Sequence, residues 1–456
     1  MHDCPVEDPL RQVTVDHAPR RALVDRGSGI SASWFNLDDL ATTWAKRLTR
    51  EGVKAGNRVA VQEPAGLRFA ALLHACLRIG AALVPISPRA PRPEVERMLT
   101  DCQPRLLVED GEVRRLANSA VGDPADLCLL YTSGSSGRAK IVRQTLANHL
   151  ASAHGCQQML GSDERDRWLL MLAPHHVGGL AIFMRSVICN QPVITLPRFE
   201  PAAILSAIEQ ERPTLMSAVP VMLDRLLEAG GMGLLQQLKA ILIGGAPATA
   251  IKVAEWIQLG LNVCPSYGLT ESCSQVAVVP PGRAAKLAGS SGLICPHAEV
   301  GIEQLPGREP KVGEIIINGP SLSPGYLDPE LPSIGTSGGF RSGDVGYLDA
   351  GVLKVLGRLD NVIITGGEKV QPEEIEAVLQ THPKVLDAAV TGEPDPEWGE
   401  IVCAWVMAPD LLPTELEAWC RERLLPAKLP RRWQLVDRLP RGEGGKLRRG
   451  ELTLGG

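Results

Sequence analysis

Residues 130–140 carry a dense set of groups that could bind phosphate. The segment reads LYTSGSSGRAK and continues an apolar run that is typical of a buried strand. Glycines let backbone N–H groups approach phosphate oxygens closely, hydroxyls add hydrogen-bond donors, and a lysine neutralises charge. The spacing differs from the GxxxxGK(S/T) loop of P-loop NTPases, and Ser/Gly runs also occur in flexible surface loops. By itself, the segment fits either a phosphate loop or a surface loop.

Four further segments place glycines, carboxylates and cations at fixed spacings. In chain order they are YGLTE at residues 267–271, SGD at 342–344 with Tyr347 and Asp349 following, GRLD at 357–360, and a basic run at 440–447 that ends in GKL. Taken singly, Glu271 fits a first-turn helix carboxylate, Asp344 a turn residue and Lys446 a solvated basic tail. Considered singly, each of the three residues therefore has an ordinary structural explanation.

The five segments resemble the signature motifs of the acyl-adenylate-forming superfamily, which includes acyl-CoA synthetases, luciferases and peptide-synthetase adenylation domains. The resemblance extends over nearly the whole chain. Two departures occur in the first segment: Ser136 stands where threonine is usual, and Ile141 follows Lys140 where glycine is commoner. Both leave the phosphate donors intact.

The resemblance implies a ligase that joins a carboxylate to the α-phosphate of ATP, releases pyrophosphate and passes the acyl group to CoA. Two anions must meet, so the site must neutralise charge and hold the line of attack. Thr270 would contact the α-phosphate, and Glu271 would bind Mg²⁺, a hard cation that prefers oxygen ligands. The expected ligands of the other phosphates are Thr132, Ser133, Gly134, Ser135, Ser136, Gly137 and Lys140.

The same resemblance assigns the nucleoside site. Asp344 would accept hydrogen bonds from the ribose hydroxyls, with Arg358 assisting. Tyr267, followed by Gly268, would stack on adenine. The opposite side of the ring would be lined by small residues at 244–247, among them Gly245, Ala246 and Pro247.

Lys446 would reach the bridging oxygen between carboxylate and phosphate during adenylation. In this superfamily a small C-terminal domain then rotates, which removes the lysine and admits the thiol. Asp360 would be the hinge. Gly366 and Gly367 would line the path of the pantetheine arm, where missing side chains let it pass.

The segment at 173–180, APHHVGGL, is expected to form part of the acid pocket, with His176 as a gate. A histidine beside glycines could equally be a packing residue. The run at 176–180, the Ser274-Gln275 pair and the short chain resemble the o-succinylbenzoate–CoA ligases of menaquinone biosynthesis. Such an acid has a second carboxylate, which Arg185, Arg198 or a set of hydroxyls around Ser217 could hold.

The sequence bears on three other functions. It is also compatible with another aryl- or fatty-acyl–CoA ligase. A non-catalytic homologue is disfavoured because both Glu271 and Lys446 are present. A serine hydrolase is disfavoured because no GxSxG motif occurs.

Elements of α/β type must position these residues. The alternation of helical and strand-like patterns predicts parallel-rich sheets with packed helices. Helical spacing occurs at 37–48 and 68–79. Strand-like runs occur at 59–62, 81–85, 126–131, 192–196 and 240–243. Strand-like runs at 313–318 and 352–356 are expected to belong to a small β-barrel-like part. The resemblance divides the chain into an N-terminal domain at 1–357 and a mobile α+β C-terminal domain at 358–456.

The bulk composition fits this picture. The chain has 456 residues, 44% of them hydrophobic, and a formal net charge of -5, so neither disorder nor nucleic-acid binding is indicated. Eleven cysteines without a CxxC pair favour reduced thiols in a cytoplasm. The start does not resemble a signal peptide, and the apolar stretch at 69–86 is interrupted by His74 and Arg78, so no membrane partner is expected. A homodimer stays open.

Overall fold

The computed structural model describes residues 8–132, 140–246, 248–305, 311–334, 338–365, 368–396, 398–424, 426–442 and 445–452. Residues 8–145 form, in chain order, α1 (Pro9–His17), β1 (Arg21–Asp25), β2 (Ile30–Ser33), α2 (Trp34–Arg50), β3 (Arg58–Gln62), α3 (Leu67–Ile79), β4 (Ala82–Pro85), α4 (Arg92–Cys102), β5 (Leu106–Glu109), β6 (Glu112–Arg115), β7 (Asp126–Thr132) and β8 (Lys140–Thr145).

The middle of the chain continues the alternation of helices and strands. It contains α5 (Leu146–Leu160), β9 (Trp168–Leu170), α6 (Val177–Ile188), β10 (Val193–Thr195), α7 (Pro201–Glu211), β11 (Leu215–Ala218), α8 (Pro220–Glu228), α9 (Met232–Leu235), β12 (Ala240–Ile243), α10 (Ala250–Gln258), β13 (Val263–Leu269) and β14 (Ser274–Val278).

The last part of the chain is richer in strands. It contains β15 (Gly292–Ile294), β16 (Glu299–Gln304), β17 (Gly313–Asn318), β18 (Phe340–Asp349), β19 (Val352–Arg358), β20 (Ile363–Thr365), β21 (Glu368–Val370), α11 (Pro372–Gln380), β22 (Asp387–Asp395), β23 (Gly399–Met407), α12 (Pro413–Arg421) and β24 (Arg432–Leu435). Short 3₁₀ turns occur at Leu359–Asn361, Pro426–Lys428 and Arg449–Glu451.

The first sheet has six strands in the order β6-β5-β3-β4-β7-β8. Its four inner strands are parallel, and β6 and β8 pair antiparallel at the edges. Both β3 and β4 are buried along their whole length, as expected of parallel strands that helices cover on both faces. The antiparallel pairing of β7 with β8 sets Thr132 opposite Lys140, so the two ends of the predicted phosphate loop are cross-strand neighbours.

The second sheet has thirteen strands in the order β16-β17-β18-β19-β15-β14-β13-β12-β11-β9-β10-β1-β2. From β13 to β1 the strands are parallel, and from β13 to β16 they are antiparallel. The prediction of a barrel-like part is wrong. The antiparallel strands extend the sheet, and the described strands form no closed barrel. Closure would need a partner on the free side of β16, which pairs only with β17 in the part of the chain that the structure describes.

The third sheet is smaller and lies in the C-terminal part of the chain. It has the order β21-β20-β23-β22, with β24 pairing parallel to β23. Helices α11 and α12 cover it, and a separate apolar core includes Ile375, Leu379, Val402, Val406 and Leu416. The structure is therefore of the predicted mixed α/β class, with a large N-terminal part and a smaller C-terminal part.

The apolar stretch at 69–86 lies in α3 and β4, as predicted, and is almost wholly buried. Within the described ranges, no helix is both long enough and apolar enough to cross a bilayer.

Candidate active site

The phosphate-loop lysine and the predicted Mg²⁺ carboxylate meet at one tyrosine. The ammonium group of Lys140 lies 5.5 Å from the centre of the Tyr326 ring. The hydroxyl of Tyr326 donates a 2.9 Å hydrogen bond to Glu271 Oε1. Burial and the neighbouring Glu271 carboxylate raise the pKa of Tyr326, so the phenol stays a donor. The structure therefore sets a cation beside a carboxylate, as binding of Mg²⁺ and phosphate together would require.

The YGLTE turn is held against the first sheet. Gln144, which is fully buried in β8, donates through Nε2 to the carbonyl of Thr270 at 2.8 Å. Gly268 is required here because an added Cβ would lie 1.9 Å from the carbonyl oxygen of Ser274. The chain then turns back through Cys273 and Ser274, which both have positive φ. These contacts fix Thr270 and Glu271 at the junction of the two sheets.

The predicted ribose residue Asp344 is buried and has two polar partners. Tyr267 donates to Oδ2 at 2.7 Å and Arg358 to Oδ1 at 3.2 Å. Asp344 and Arg358 are directly opposite each other on β18 and β19. Burial raises the pKa of Asp344, although Tyr267, Arg358 and the charge of Lys446 act in the other direction. Tyr267 thus contacts the carboxylate through its hydroxyl, while its ring packs against the apolar core that includes Ile315 and Leu353.

Small residues follow the end of β12 beside Tyr267. β12 and β13 pair in parallel, with Ile243 opposite Pro265. An added Cβ at Gly244 would lie 2.9 Å from Ser266 Oγ, and Gly245 has a φ of +77°. Gly244 therefore lies beside Ser266, directly before the YGLTE segment, and Gly245 and Ala246 follow it in the chain. Their place in the adenine site stays a prediction.

Lys446 lies near Asp344 although the two residues are far apart in the sequence. Its positive charge opposes the rise in the pKa of Asp344 that burial causes. An added Cβ on the preceding Gly445 would lie 3.2 Å from Val221 in α8, so the lysine loop packs against the large part of the molecule. The loop is braced by a bond from the N–H of Gly442 to the carbonyl of Lys446 at 2.9 Å. This arrangement brings an exposed cation to the residues that the sequence predicts to bind the nucleotide.

The predicted gate His176 is the exposed N-cap residue of α6. Its ring centre lies 4.5 Å from that of His175. Burial and the neighbouring cations lower the pKa of His175 to about 3, so His175 is neutral at physiological pH. The exposure of His176 argues against a packing role, and its function as a gate stays a prediction.

Arg185 is the buried cation of α6. Its side chain is 2% exposed and donates through Nη2 to Ser274 Oγ at 3.0 Å and to Gln275 Oε1. The guanidinium also lies 5.6 Å from the centre of the Trp168 ring. Among the described residues, these partners of the Arg185 guanidinium are all neutral, and its Nε–H has no hydrogen-bond partner. A buried cation without a carboxylate is a candidate anion site.

Eight predicted ligands lie outside the described residues. They are Ser133, Gly134, Ser135, Ser136, Gly137, Pro247, Gly366 and Gly367. Among the other predicted residues, the structure brings two groups together. Thr132, Lys140, Thr270 and Glu271 lie around the β8 edge, whereas Tyr267, Arg358 and Lys446 lie around Asp344 of β18.

Comparison with known proteins agrees with this geometry. A family described as AMP-binding enzyme matches residues 10–124 and 115–327, and one described as AMP-binding enzyme C-terminal domain matches residues 374–446. The chain therefore belongs to the AMP-binding enzyme family, within the acyl-adenylate-forming superfamily.

Individual relatives indicate the kind of enzyme more narrowly than the family does. The chain is 36% identical over 439 residues to 2-succinylbenzoate–CoA ligase of Bacillus velezensis, with 90% of each chain covered. It is 36% identical over 467 residues to the ligase of that name from Geobacillus kaustophilus, with 95% of each covered. The structure of o-succinylbenzoate CoA synthetase from Bacillus subtilis with its acyl-adenylate intermediate superposes with a TM-score of 0.88 at 30% identity, covering 98% of each chain. The same Bacillus subtilis enzyme has been solved with ATP and magnesium ion, and that structure has a TM-score of 0.86.

Proposed function

We propose that the protein is an ATP-dependent acid–CoA ligase that converts 2-succinylbenzoate to its CoA thioester through an acyl-adenylate. Membership of the AMP-binding enzyme family supports the adenylation step. The names of the relatives support 2-succinylbenzoate as the acid substrate. The observation in this chain that carries the choice of acid is the buried Arg185, held by Ser274 and Gln275 and available to a second carboxylate.

In the first half-reaction, an oxygen of the aliphatic carboxylate attacks the α-phosphorus, and the bond to pyrophosphate breaks. Lys446 stabilises the charge that shifts to the bridging oxygen, and Thr270 contacts the α-phosphate. Asp344 and Arg358 orient the ribose. Fixed donors and cations that need no rearrangement lower the barrier most.

The residues fit one Mg²⁺ ion. Glu271 offers a single carboxylate beside Lys140 and Tyr326, and the described residues contain no group of three or more His, Cys, Asp or Glu that could hold a metal alone. Mg²⁺ commonly binds through one or two carboxylates plus substrate phosphates. When bound, the ion would neutralise charge on the leaving pyrophosphate.

In the second half-reaction, the CoA thiolate attacks the acyl carbon and AMP leaves. The boundary near residue 357 and the hinge at Asp360 belong to this proposal. Support comes from the 3₁₀ turn at Leu359–Asn361 between the second and third sheets. Gly366 and Gly367 would line the thiol's path.

Of the three candidates for the second carboxylate's partner, Arg185 has the most support. The side chain of Arg198 is 70% exposed and paired with Glu200 at 3.1 Å, so solvent screens it. Ser217 is buried and its hydroxyl has no partner among the described residues, but it carries no charge. An anion that leaves water needs a charged or multiple hydrogen-bond partner.

The test measures pyrophosphate release and thioester formation for 2-succinylbenzoate, with Arg185→Gln and the matched Arg198→Gln. We expect Arg185→Gln to lower kcat/KM by about 100-fold, since truncating one partner of a buried charge pair costs roughly 2–5 kcal/mol, and Arg198→Gln to change it little. Equal effects of the two variants would contradict the choice of Arg185. Pyrophosphate release without any thioester would contradict the ligase.

Cellular location and oligomeric state also stay proposals. A cytoplasmic location is supported by ten cysteines that are free and buried among the described residues. A homodimer is the proposed oligomeric state.

A further inference from the structure

The segment at 322–327 lies along β8, although none of the five sequence motifs includes it. Tyr326 forms an isolated antiparallel bridge with Val142 of β8. The N–H of Leu327 donates to the carbonyl of Ile141 at 2.8 Å. The segment therefore runs beside the strand that begins at the phosphate-loop lysine.

Ser323 joins this segment to the turn that carries Glu271. Its side chain is buried, and its hydroxyl donates to the carbonyl of Arg143 in β8 at 2.6 Å. Its N–H donates to the carbonyl of Glu271 at 2.8 Å. Asn148, at the start of α5, also donates to the carbonyl of Leu322 at 2.7 Å. These bonds hold the segment, β8 and the Glu271 turn in one arrangement.

The side chain of Tyr326 contacts both charged groups of this region. Its hydroxyl donates to Glu271 Oε1 at 2.9 Å, and the ammonium group of Lys140 lies over its ring, 5.5 Å from the centre. Within the described ranges, this hydroxyl is the only hydrogen-bond partner of the Glu271 carboxylate. A carboxylate has two oxygens, so the phenol orients one of them and the other can bind a cation.

We infer that Tyr326 is a positioning residue for adenylation, which orients the Glu271 carboxylate toward Mg²⁺ and keeps Lys140 beside it. The inference rests on the proposed function, in which Glu271 binds the ion. Hydrogen bonds to a metal-binding carboxylate commonly strengthen metal binding, and losing one costs about 10- to 100-fold in affinity. The ring adds an attraction for the ammonium group.

The protonation state of Tyr326 suits this role. Burial, and then the charge of Glu271, raise the pKa of the phenol. The hydroxyl therefore keeps its proton at physiological pH and donates it to the carboxylate, so that no second negative charge forms beside Glu271.

The test uses α,β-methylene ATP, which cannot release pyrophosphate, and Mn²⁺ as the probe ion. Calorimetric titration gives the Kd of the nucleotide with Mn²⁺ and with EDTA. The readout is the ratio of the second Kd to the first, because a general loss of structure weakens both and leaves their ratio intact. We expect Tyr326→Phe, which removes only the hydroxyl, to lower the ratio about tenfold or more.

Tyr347→Phe is the matched control. Tyr347 also has a lysine ammonium over its ring, that of Lys354 at 5.6 Å from the centre, but it lies on β18 and pairs with Lys354 across the hairpin. Its replacement should leave the ratio unchanged. Tyr326→Leu removes the ring as well, so it should also weaken nucleotide binding in EDTA by about twofold to fivefold.

Glu271→Gln separates this inference from the proposed function. If Glu271→Gln leaves the ratio unchanged, the proposed role of Glu271 in metal binding is wrong. If Glu271→Gln lowers the ratio and Tyr326→Phe does not, the role of Tyr326 is wrong and the proposed function stands.

The double variant tests whether Tyr326 acts through Glu271. In a Glu271→Gln background, Tyr326→Phe should change the ratio little, because the carboxylate that it orients is gone. A further tenfold fall would contradict the inference. Should thermal melting show that Tyr326→Phe is unfolded, Ser323→Ala decides, since it loosens the segment and keeps the phenol. We expect it to lower the ratio about threefold, and an unchanged ratio would overturn the inference.

Discussion

The role proposed for Lys446 confines it to one of the two half-reactions. Its charge opposes the rise in the pKa of Asp344 that burial causes, and its loop packs against Val221. A cation near the predicted nucleotide residues would stabilise the adenylation transition state. In this proposal the same cation has no role once the acyl-adenylate has formed.

We therefore expect Lys446→Ala to lower the rate of pyrophosphate release by about 100- to 1000-fold, as for the loss of a preorganised electrostatic group. Thioester formation from preformed acyl-adenylate and CoA should be largely retained. The exposed Lys384 offers a control, Lys384→Ala. Equal loss of both half-reactions would contradict the role of Lys446.

Individual residues were only partly predictable from sequence. The motifs indicated Glu271, Asp344 and Arg358 because their types and spacing are local. The bond from Tyr326 to Glu271 was missed, since 55 residues separate the two. Its only signal was an aromatic residue in the Gly- and Pro-containing segment at 319–326.

At the scale of elements, the 3₁₀ turn at Leu359–Asn361 links β19 to the C-terminal sheet. Arg358 donates to Asp360 at 3.2 Å, and Gln371 Nε2, at the start of α11, donates to the carbonyl of Arg358 at 2.9 Å. These bonds hold the turn in the present arrangement, in which Lys446 lies near Asp344. Rotation of the small domain would need new backbone angles in this turn.

We expect Asp360→Pro to allow adenylation and to block thioester formation, because a proline φ near −65° is compatible with a 3₁₀ turn and with few alternatives. Single-turnover rates of both half-reactions provide the measurement. Asp360→Ala is the control, since it removes the ion pair without fixing φ. Normal rates of both steps in Asp360→Pro would locate the hinge elsewhere.

Elements with a strong local pattern were predicted well. The strand-like run at 313–318 is β17, the run at 240–243 is β12, and the predicted helix at 37–48 is the longer α2, which begins after the capping residue Ser33. The barrel-like part was wrong because strand partners are set by non-local pairing. A sequence run predicts a strand but not whether the sheet closes.

At the scale of the whole molecule, buried histidines couple stability to pH. Burial is the main cause that lowers the pKa values of His149 and His175 to about 3. Between about pH 6.5, the ordinary histidine pKa, and pH 3, the unfolded chain binds protons that the folded chain does not. The free energy of unfolding should therefore fall as pH falls, by about 1.4 kcal/mol per pH unit for each such histidine.

Urea denaturation between pH 5.5 and 4.5 tests this coupling. We expect His149→Gln to reduce the slope of unfolding free energy against pH by about 1.4 kcal/mol per unit. His154→Gln, at an exposed position on the same helix, should leave the slope as in the wild type. An unchanged slope in His149→Gln would mean that His149 accepts a proton in the folded state.

The central claim is that this molecule activates an acid with a second, ring-bound carboxylate. Its most direct test is kcat/KM for CoA thioester formation with 2-succinylbenzoate, benzoate and octanoate. A site built around a buried charge rejects analogues that lack its partner, whereas an apolar pocket tolerates them. We predict that 2-succinylbenzoate exceeds both other acids by far more than tenfold. If benzoate or octanoate comes within about tenfold, roughly 1.4 kcal/mol, the assignment of the acid is contradicted.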